Sequence, residues 1–294
     1  MTYSIVAFDP ATGQLGVAVQ SHFFNVGSVV PAALPGVGAV ATQSFPNLQI
    51  KPRALALLQQ GRHPDDVVRE LVADDPEADY RQFAVIDAQG RSAAHTGPRC
   101  MAEAGQLVGD GFSVQANIMR STAVWPAMAA AFESSHGDAL ARRLLATLDA
   151  AEEAGGDLRG RQSAAILVVP AEGSEVDRVV DLRVEDAADP LAELRRLLTL
   201  NDAYTYGNEA DAALTVGDRT GAAEGFVRAM ETAPDVVELR FWAGLSLMDA
   251  GNDDRGVALL REAVAAEPVW LELLHRLDPE DSPSAARAIA LLGG

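Results

Sequence analysis

Apolar and polar residues alternate from the start of the chain. Met1-Thr2-Tyr3-Ser4-Ile5-Val6-Ala7-Phe8 is a strand-like run, with a β segment expected over 3–8, Asp9-Pro10-Ala11-Thr12-Gly13 reads as a turn, and Leu15-Gly16-Val17-Ala18-Val19-Gln20-Ser21 as a second strand. Successive side chains of a strand point to opposite faces, so Thr2 and Ser4 share one face while Tyr3, Ile5 and Ala7 share the other. Two further β segments are expected over 28–33 and 37–43. The run Gly36-Val37-Gly38-Ala39-Val40-Ala41-Thr42-Gln43-Ser44 is small at nearly every position, which lets a neighbour approach its backbone closely. Leu55, Leu58, Val67, Val68, Leu71 and Val72 recur at helical spacing and predict helices over 52–60 and 64–73, with Gly61 ending the first. Strands return at 81–87, 92–95, 105–108 and 112–118, helices at 121–135 and 138–154, and strands at 163–169 and 178–184. Strands and helices thus come in blocks, which predicts an α+β sandwich of antiparallel sheets rather than an alternating βαβ fold.

Past Asp189-Pro190 a helix is expected over 191–200, and from about residue 203 the pattern is purely helical. An internal period of 34 appears there. Gly217 and Gly251 are one period apart, as are Phe226 and Leu260, Ala229 and Ala263, and Pro234 and Pro268. Small, aromatic or aliphatic, Ala and Pro positions in that order resemble tetratricopeptide repeats, with Trp270 to Leu277 as a capping helix. The expected organisation is a domain over 1–200 and a small all-α repeat domain over 203–294.

Composition narrows the function. The 294 residues are 48% apolar but only 5% aromatic, so the core must rest on Ala, Val and Leu. The net charge of −19 opposes binding to nucleic acid or to an anionic membrane surface, and the last 92 residues alone carry 7 Arg against 16 Asp and Glu. Neither an apolar run of membrane-spanning length nor a basic segment leading into an apolar one is visible, which predicts a soluble, cytoplasmic protein. A single cysteine, Cys100, leaves no internal disulfide and no thiolate-rich metal site, and the five histidines have no ligand spacing.

Candidate chemistry centres on Thr2. Removal of Met1 would leave one residue with both a nucleophilic hydroxyl and a free α-amine that titrates near ~8, able to take the hydroxyl proton as Oγ1 attacks a carbonyl. Pairing into a sheet would hold this terminus still. Ser4 shares the face of Thr2, either as an ordinary strand hydroxyl or as part of the site. Gln20, Ser21 and His22, at the end of the second strand, are expected at the rim of the cleft that Thr2 faces. Two polar islands interrupt apolar strands, Gln115-Ala116-Asn117 and Gly160-Arg161-Gln162-Ser163. An amide at a strand end suits an oxyanion hole, and plain strand termination accounts for it equally well.

These segments together resemble a known family. Thr2 to Ala7, Thr12-Gly13, Gly16 to Val19, Gly36 to Gln43, Gly160 to Ala165 and Asp181 to Val184 look like a bacterial and archaeal domain of unknown function with an N-terminal-nucleophile (Ntn) hydrolase fold. The resemblance covers about residues 1–200 and implies a four-layer αββα sandwich. It further implies an amidohydrolase acting on a small amide, with Thr2 as nucleophile and its own amine as base, forming an acyl ester that water cleaves. Support is expected from Ser4, Gln43, Asn117 and Ser163, with Gln20, Ser21, His22, Gln43, Gln162 and Ser163 as the candidates for binding substrate, and no cofactor or metal is called for. Lys51 invites comparison with the basic residue beside the proteasome threonine, but its loop-to-helix position predicts a solvated surface lysine. Some members of the family carry a C-terminal domain thought to bind peptidoglycan. This chain has helical repeats there instead, for which a protein partner or self-association is expected. Where the family has Gly-Asn this chain has Ala116-Asn117, which keeps the amide. Where the family has Asp-Asp-His it has Glu185-Asp186-Ala187, which removes a histidine. The rival expectation is a non-catalytic scaffold of the same fold.

Overall fold

The structure, a computed structural model, describes residues 2–278, 280 and 282–293. Met1, on whose removal the sequence reading depends, lies outside them. The chain opens with β1 (Thr2–Phe8) and β2 (Leu15–Ser21), makes one helical turn, α1 (Val26–Val29), and returns as β3 (Pro31–Leu34) and β4 (Gly38–Ser44). Helices α2 (Ile50–Gln59) and α3 (Pro64–Asp74) precede β5 (Arg81–Asp87), β6 (Ser92–Thr96), β7 (Gly105–Gly109) and β8 (Phe112–Asn117). Helices α4 (Val124–Ser134) and α5 (Leu140–Glu153) then lead to β9 (Ser163–Val169) and β10 (Val180–Val184).

The strands form two antiparallel sheets, in the orders β10-β9-β2-β1-β8-β7 and β3-β4-β5-β6. Val6, Val17, Val19 and Leu167 of the first sheet pack with Ala39, Ala41, Ala84 and Ile86 of the second in one buried cluster. Ala39, Ala41 and Ala84 set against branched residues of the first sheet let the sheets meet face to face. On the far side of the second sheet Val40, Phe83 and Val85 bury Ile50 and Leu58 of α2 and Val67 and Leu71 of α3. On the far side of the first sheet α5 lies so near β2 that a Cβ on Gly16 would stand 2.7 Å from Leu144 Cδ1. Phe112 of β8 meets Phe132 of α4 with ring centroids 5.0 Å apart. The fold is mixed α/β with two antiparallel sheets.

Two expected elements differ. Residues 28–33 do not form one strand: a helical turn comes first, because the Val26 N–H is taken by the Ser163 hydroxyl (3.0 Å) and Asn25 adopts a left-handed conformation (φ 54°). The small-residue run is explained by β5 and α2, since a Cβ on Gly38 would stand 2.5 Å from the Ile86 carbonyl and 2.6 Å from Leu58 Cδ1.

The second compact unit begins at Leu197. The helix expected to stop at Leu200 instead runs on as α6 (Pro190–Thr215), since nothing in its sequence breaks it before Gly217 at φ 81°. It is followed by α7 (Arg219–Thr232), α8 (Val237–Asp249), α9 (Asp253–Ala266), α10 (Val269–Arg276) and α11 (Ala285–Leu292). The 34-residue period is visible in the backbone. Gly217 and Gly251 both have positive φ, and the next residue of each, Asp218 and Asn252, caps a helix by accepting from the N–H of Gly221 and of Arg255. Helices α8 and α9 meet through glycines: a Cβ on Gly256 would stand 2.6 Å from the Gly244 carbonyl.

Candidate active site

Register brings four polar residues into line across the first sheet. Ser163 of β9 pairs with Ser21 of β2, Ser21 with Thr2 of β1, and Thr2 with Asn117 of β8. All four sit at one end of their strands, where the loops 22–25, 118–123 and 157–162 leave the sheet. Thr2 is only 4% exposed, and its Oγ1 donates to Ser21 Oγ at 3.1 Å. Ser163 Oγ donates to the Phe23 carbonyl (2.5 Å) and accepts from the Val26 N–H, which ties the loop after β2 to β9.

Behind this row the sheets are joined by buried amides. Ser4 Oγ donates to Gln43 Oε1 and accepts from Gln115 Nε2, both at 2.6 Å. Gln43 Nε2 donates to Gln82 Oε1 (2.7 Å) and to the Thr2 carbonyl (3.2 Å). Asn117 Nδ2 donates to the same Gln82 oxygen (2.8 Å) and, at 3.4 Å, to the Thr2 carbonyl. Gln82 is the hub, for its own Nε2 donates to Thr96 Oγ1 and to the Ala116 carbonyl, both at 2.9 Å. Ser4, Gln43, Gln82, Gln115 and Asn117 are all buried. A dry interior makes such bonds strong and makes any orphaned partner expensive, so the network holds its members in one arrangement. Its output is a Thr2 carbonyl gripped by two side-chain amides, those of Gln43 and Asn117.

The other expected site residues lie outside this row. Gln20 lies on the opposite face with Tyr3, where its amide donates to the Tyr3 hydroxyl (2.7 Å) and to Glu152 Oε1 (3.1 Å). Burial, and then the neighbouring Glu152 carboxylate, push the Tyr3 hydroxyl well above its ordinary range, so it stays protonated and donates to Glu152 at 2.6 Å. His22 is at the rim, with its N–H on Asp157 Oδ2 (3.1 Å) and its Nδ1 3.3 Å from the Arg161 carbonyl oxygen. Gln162 is outside the row, its Nε2 donating to Asp186 Oδ1 at 3.1 Å. Lys51 is not the solvated lysine expected. Its ammonium donates to the Val29 carbonyl at 2.7 Å and lies within 3.5 Å of the Ser28 and Pro31 carbonyls, and burial, then Arg183, lower its pKa. Carbonyls at the end of α1 claim it.

Two groups escaped the sequence reading. Gln82 had a signal, an amide on the same face of β5 as the apolar Ala84 and Ile86. Asp157 had none, because the His22 N–H it accepts belongs to a residue 135 positions away. A third anchor lies on the second sheet, where Arg81 donates to the Phe45 carbonyl (2.8 Å) and to Asp75 Oδ2 (3.0 Å), while Asn47 Nδ2 donates to that same oxygen. Phe23, Phe24, Phe45, Leu48, Met101 and Leu158, on the loops at this end, are exposed. Among the described residues no three His, Cys, Asp or Glu side chains converge as a metal centre needs, and no helix is long and apolar enough to cross a membrane.

Comparison with known proteins places the first unit. Residues 2–194 match the model of a family of unknown function, DUF1028. A crystal structure of a DUF1028 protein from Silicibacter pomeroyi shares 33% identity, with a TM-score of 0.62 over 67% of this chain and 87% of that chain. A structure of Anbu, the ancestral β-subunit, from Yersinia bercovieri covers 66% of this chain and 91% of that chain at 12% identity, and its TM-score of 0.33 is too low to bear on the fold. No curated protein matches the chain. A family model spanning almost the whole of the first unit and a solved relative sharing a third of the aligned residues agree: the chain belongs to the DUF1028 family.

Proposed function

We propose that this protein is an Ntn-type amidohydrolase, its two sheets and flanking helices being the four-layer αββα sandwich of that class. Thr2 is the nucleophile once Met1 is removed. The observation that carries the reading is the placement of Thr2. It stands at the end of a central strand, paired on both sides, with its hydroxyl on Ser21 and its carbonyl held by Gln43 and Asn117. A nucleophile that is also a chain end needs such a mount. In the reaction Thr2 Oγ1 attacks the amide carbon and its proton passes to the α-amine. The C–N bond then breaks, the amine leaves with that proton, and water hydrolyses the Thr2 ester. Ser21 orients the hydroxyl. Ser4, Gln43, Gln82 and Asn117 act as positioning residues from behind, and Ser163 and His22 fix the rim. The substrate is a small amide or peptide-like molecule, and the chemistry is complete without a cofactor.

The test has two steps. Intact mass of the protein from its native host should show the chain beginning at Thr2. A screen of small amides should then give turnover that falls by about 10³-fold or more in Thr2→Ala. A retained Met1, or turnover surviving in Thr2→Ala, refutes the assignment. One observation favours the rival scaffold reading: the buried amides behind Thr2 are all bonded to other protein groups. Under that reading an acyl-trapping probe leaves Thr2 unlabelled, and the helical unit, read as tetratricopeptide repeats, does the work by binding a protein partner or a second copy.

A further inference from the structure

The C-terminal unit contains a cavity of about 260 Å³ whose lining joins an apolar floor to an acidic rim. Phe226, Trp242 and Leu245 supply the floor, and Asp211 of α6 and Asp249 of α8 supply the carboxylates. Ser246 lines it too. This side chain is 96% buried by its 4% exposure, and its Oγ has no hydrogen-bond partner among the described residues. A buried hydroxyl without a partner is costly, and a ligand that bonds to it recovers that cost. Ser246 and Asp249 are three residues apart on α8 and therefore neighbours on one helix face.

We propose that this cavity binds the ammonium group of a lysine side chain presented by another polypeptide. The alkyl stem lies on Phe226, Trp242 and Leu245, and the three N–H donors of the ammonium meet Ser246, Asp249 and Asp211. Trp242 adds the face of an aromatic ring to the attraction for a cation. Charge selects a cation because the charged groups lining the site, Asp211 and Asp249, are both carboxylates, on a unit that is itself strongly acidic. Burial raises the Asp211 carboxyl above its ordinary value. A compact ammonium fits better than a guanidinium. Asp249 Oδ1 already accepts from the Ser284 N–H at 2.9 Å, so that carboxylate lacks the two-oxygen fork arginine prefers. The donor is not a second copy of this chain. Lys51 is the only lysine in the sequence, and α1 carbonyls hold its ammonium. Arg219 and Glu280 line an adjoining cavity that shares Asp249, and they give the flanking residues of the guest one contact of each sign.

The experiment uses the full chain with an ¹⁵N-labelled tryptophan indole, and Trp242→Phe identifies the Trp242 signal. N-acetyl-lysine amide should shift that signal saturably, and N-acetyl-norleucine amide, with a similar stem and no charge, should bind at least about tenfold more weakly. Ser246→Ala removes an unpartnered hydroxyl and leaves the fold at least as stable, yet should weaken the lysine probe several-fold. Asp211→Asn at the rim should do the same and flatten the salt dependence. Equal binding of the two probes, no saturable shift, or unchanged affinity in both variants overturns the proposal. Tighter binding of free butylammonium than of the lysine probe overturns the assignment to a polypeptide. None of these outcomes depends on Thr2, so the site stands or falls apart from the hydrolase reading.

Discussion

Ser4→Ala isolates the buried network from the chemistry in front of it. In the wild type its hydroxyl serves Gln115 Nε2 and Gln43 Oε1 at 2.6 Å each, and among the described residues no other side chain or carbonyl bonds to either of those two atoms. The substitution deletes one small oxygen from a fully buried position, so the cavity is minor and two stranded amide atoms dominate the loss. Each costs about 1–3 kcal/mol when left unpaired in a dry site, and partial rearrangement of the glutamines brings the sum to about 2–4 kcal/mol. In a unit ending at Arg196 that corresponds to a fall in melting temperature of about 5–15 °C. Urea unfolding followed by circular dichroism measures it, and the m-value should be unchanged because the surface exposed on unfolding is the same. The double variant Ser4→Ala, Gln115→Leu should recover part of the loss by removing one stranded amide, and a cycle with Gln115→Leu alone gives the coupling. A loss below about 0.5 kcal/mol would mean that water reaches these amides, and the account of a dry clamp behind Thr2 would be wrong.

Other consequences follow from the same geometry. Burial alone would raise the Asp75 carboxyl, but hydrogen bonds from Arg81, Asn47 and the Glu77 N–H outweigh it and hold the pKa at about 2. The folded value lies below the unfolded one of roughly 3.9, so this stabilisation is complete above that pH and is lost as pH falls toward the folded value. Acid titration of stability should therefore be shallower in Asp75→Asn than in the wild type over that interval, and identical curves would contradict the clamp on the 45–47 loop. Gly38→Ala should cost about 1–3 kcal/mol, since its Cβ meets the Ile86 backbone carbonyl, which cannot turn away, and an unchanged melting temperature would show that β4 and β5 can separate there.

Much of this architecture was written in local pattern. Alternation in β1 assigned Thr2 and Ser4 to one face before any partner was known, and the punctuation at Gly217 and Gly251 marked the helical period. These features depend on residues close in sequence, whose geometry the backbone itself fixes. Where a partner competed with local preference the pattern failed. Val26 to Val29 has strand composition but forms a helical turn because Ser163 takes the Val26 N–H, and Lys51 resembles a surface lysine until α1 carbonyls surround it. The second unit shows the same division, for its helices are periodic in sequence while the joining of Asp211, Ser246 and Asp249 in one cavity is not.

The sequence by itself determined which strands exist, which face of each is polar, and that Thr2 stands where the first strand begins. Tertiary structure alone decided that Ser163, Ser21, Thr2 and Asn117 share one row, that Gln43 reaches across from the second sheet to the Thr2 carbonyl while Gln82 accepts from Gln43 and Asn117, and that Gln20 turns to the other side. The reason is physical. Strand period and turn residues act through neighbouring backbone, whereas a buried amide takes whichever partner the packing of two sheets brings within 3 Å or so, and that packing joins residues far apart in the chain.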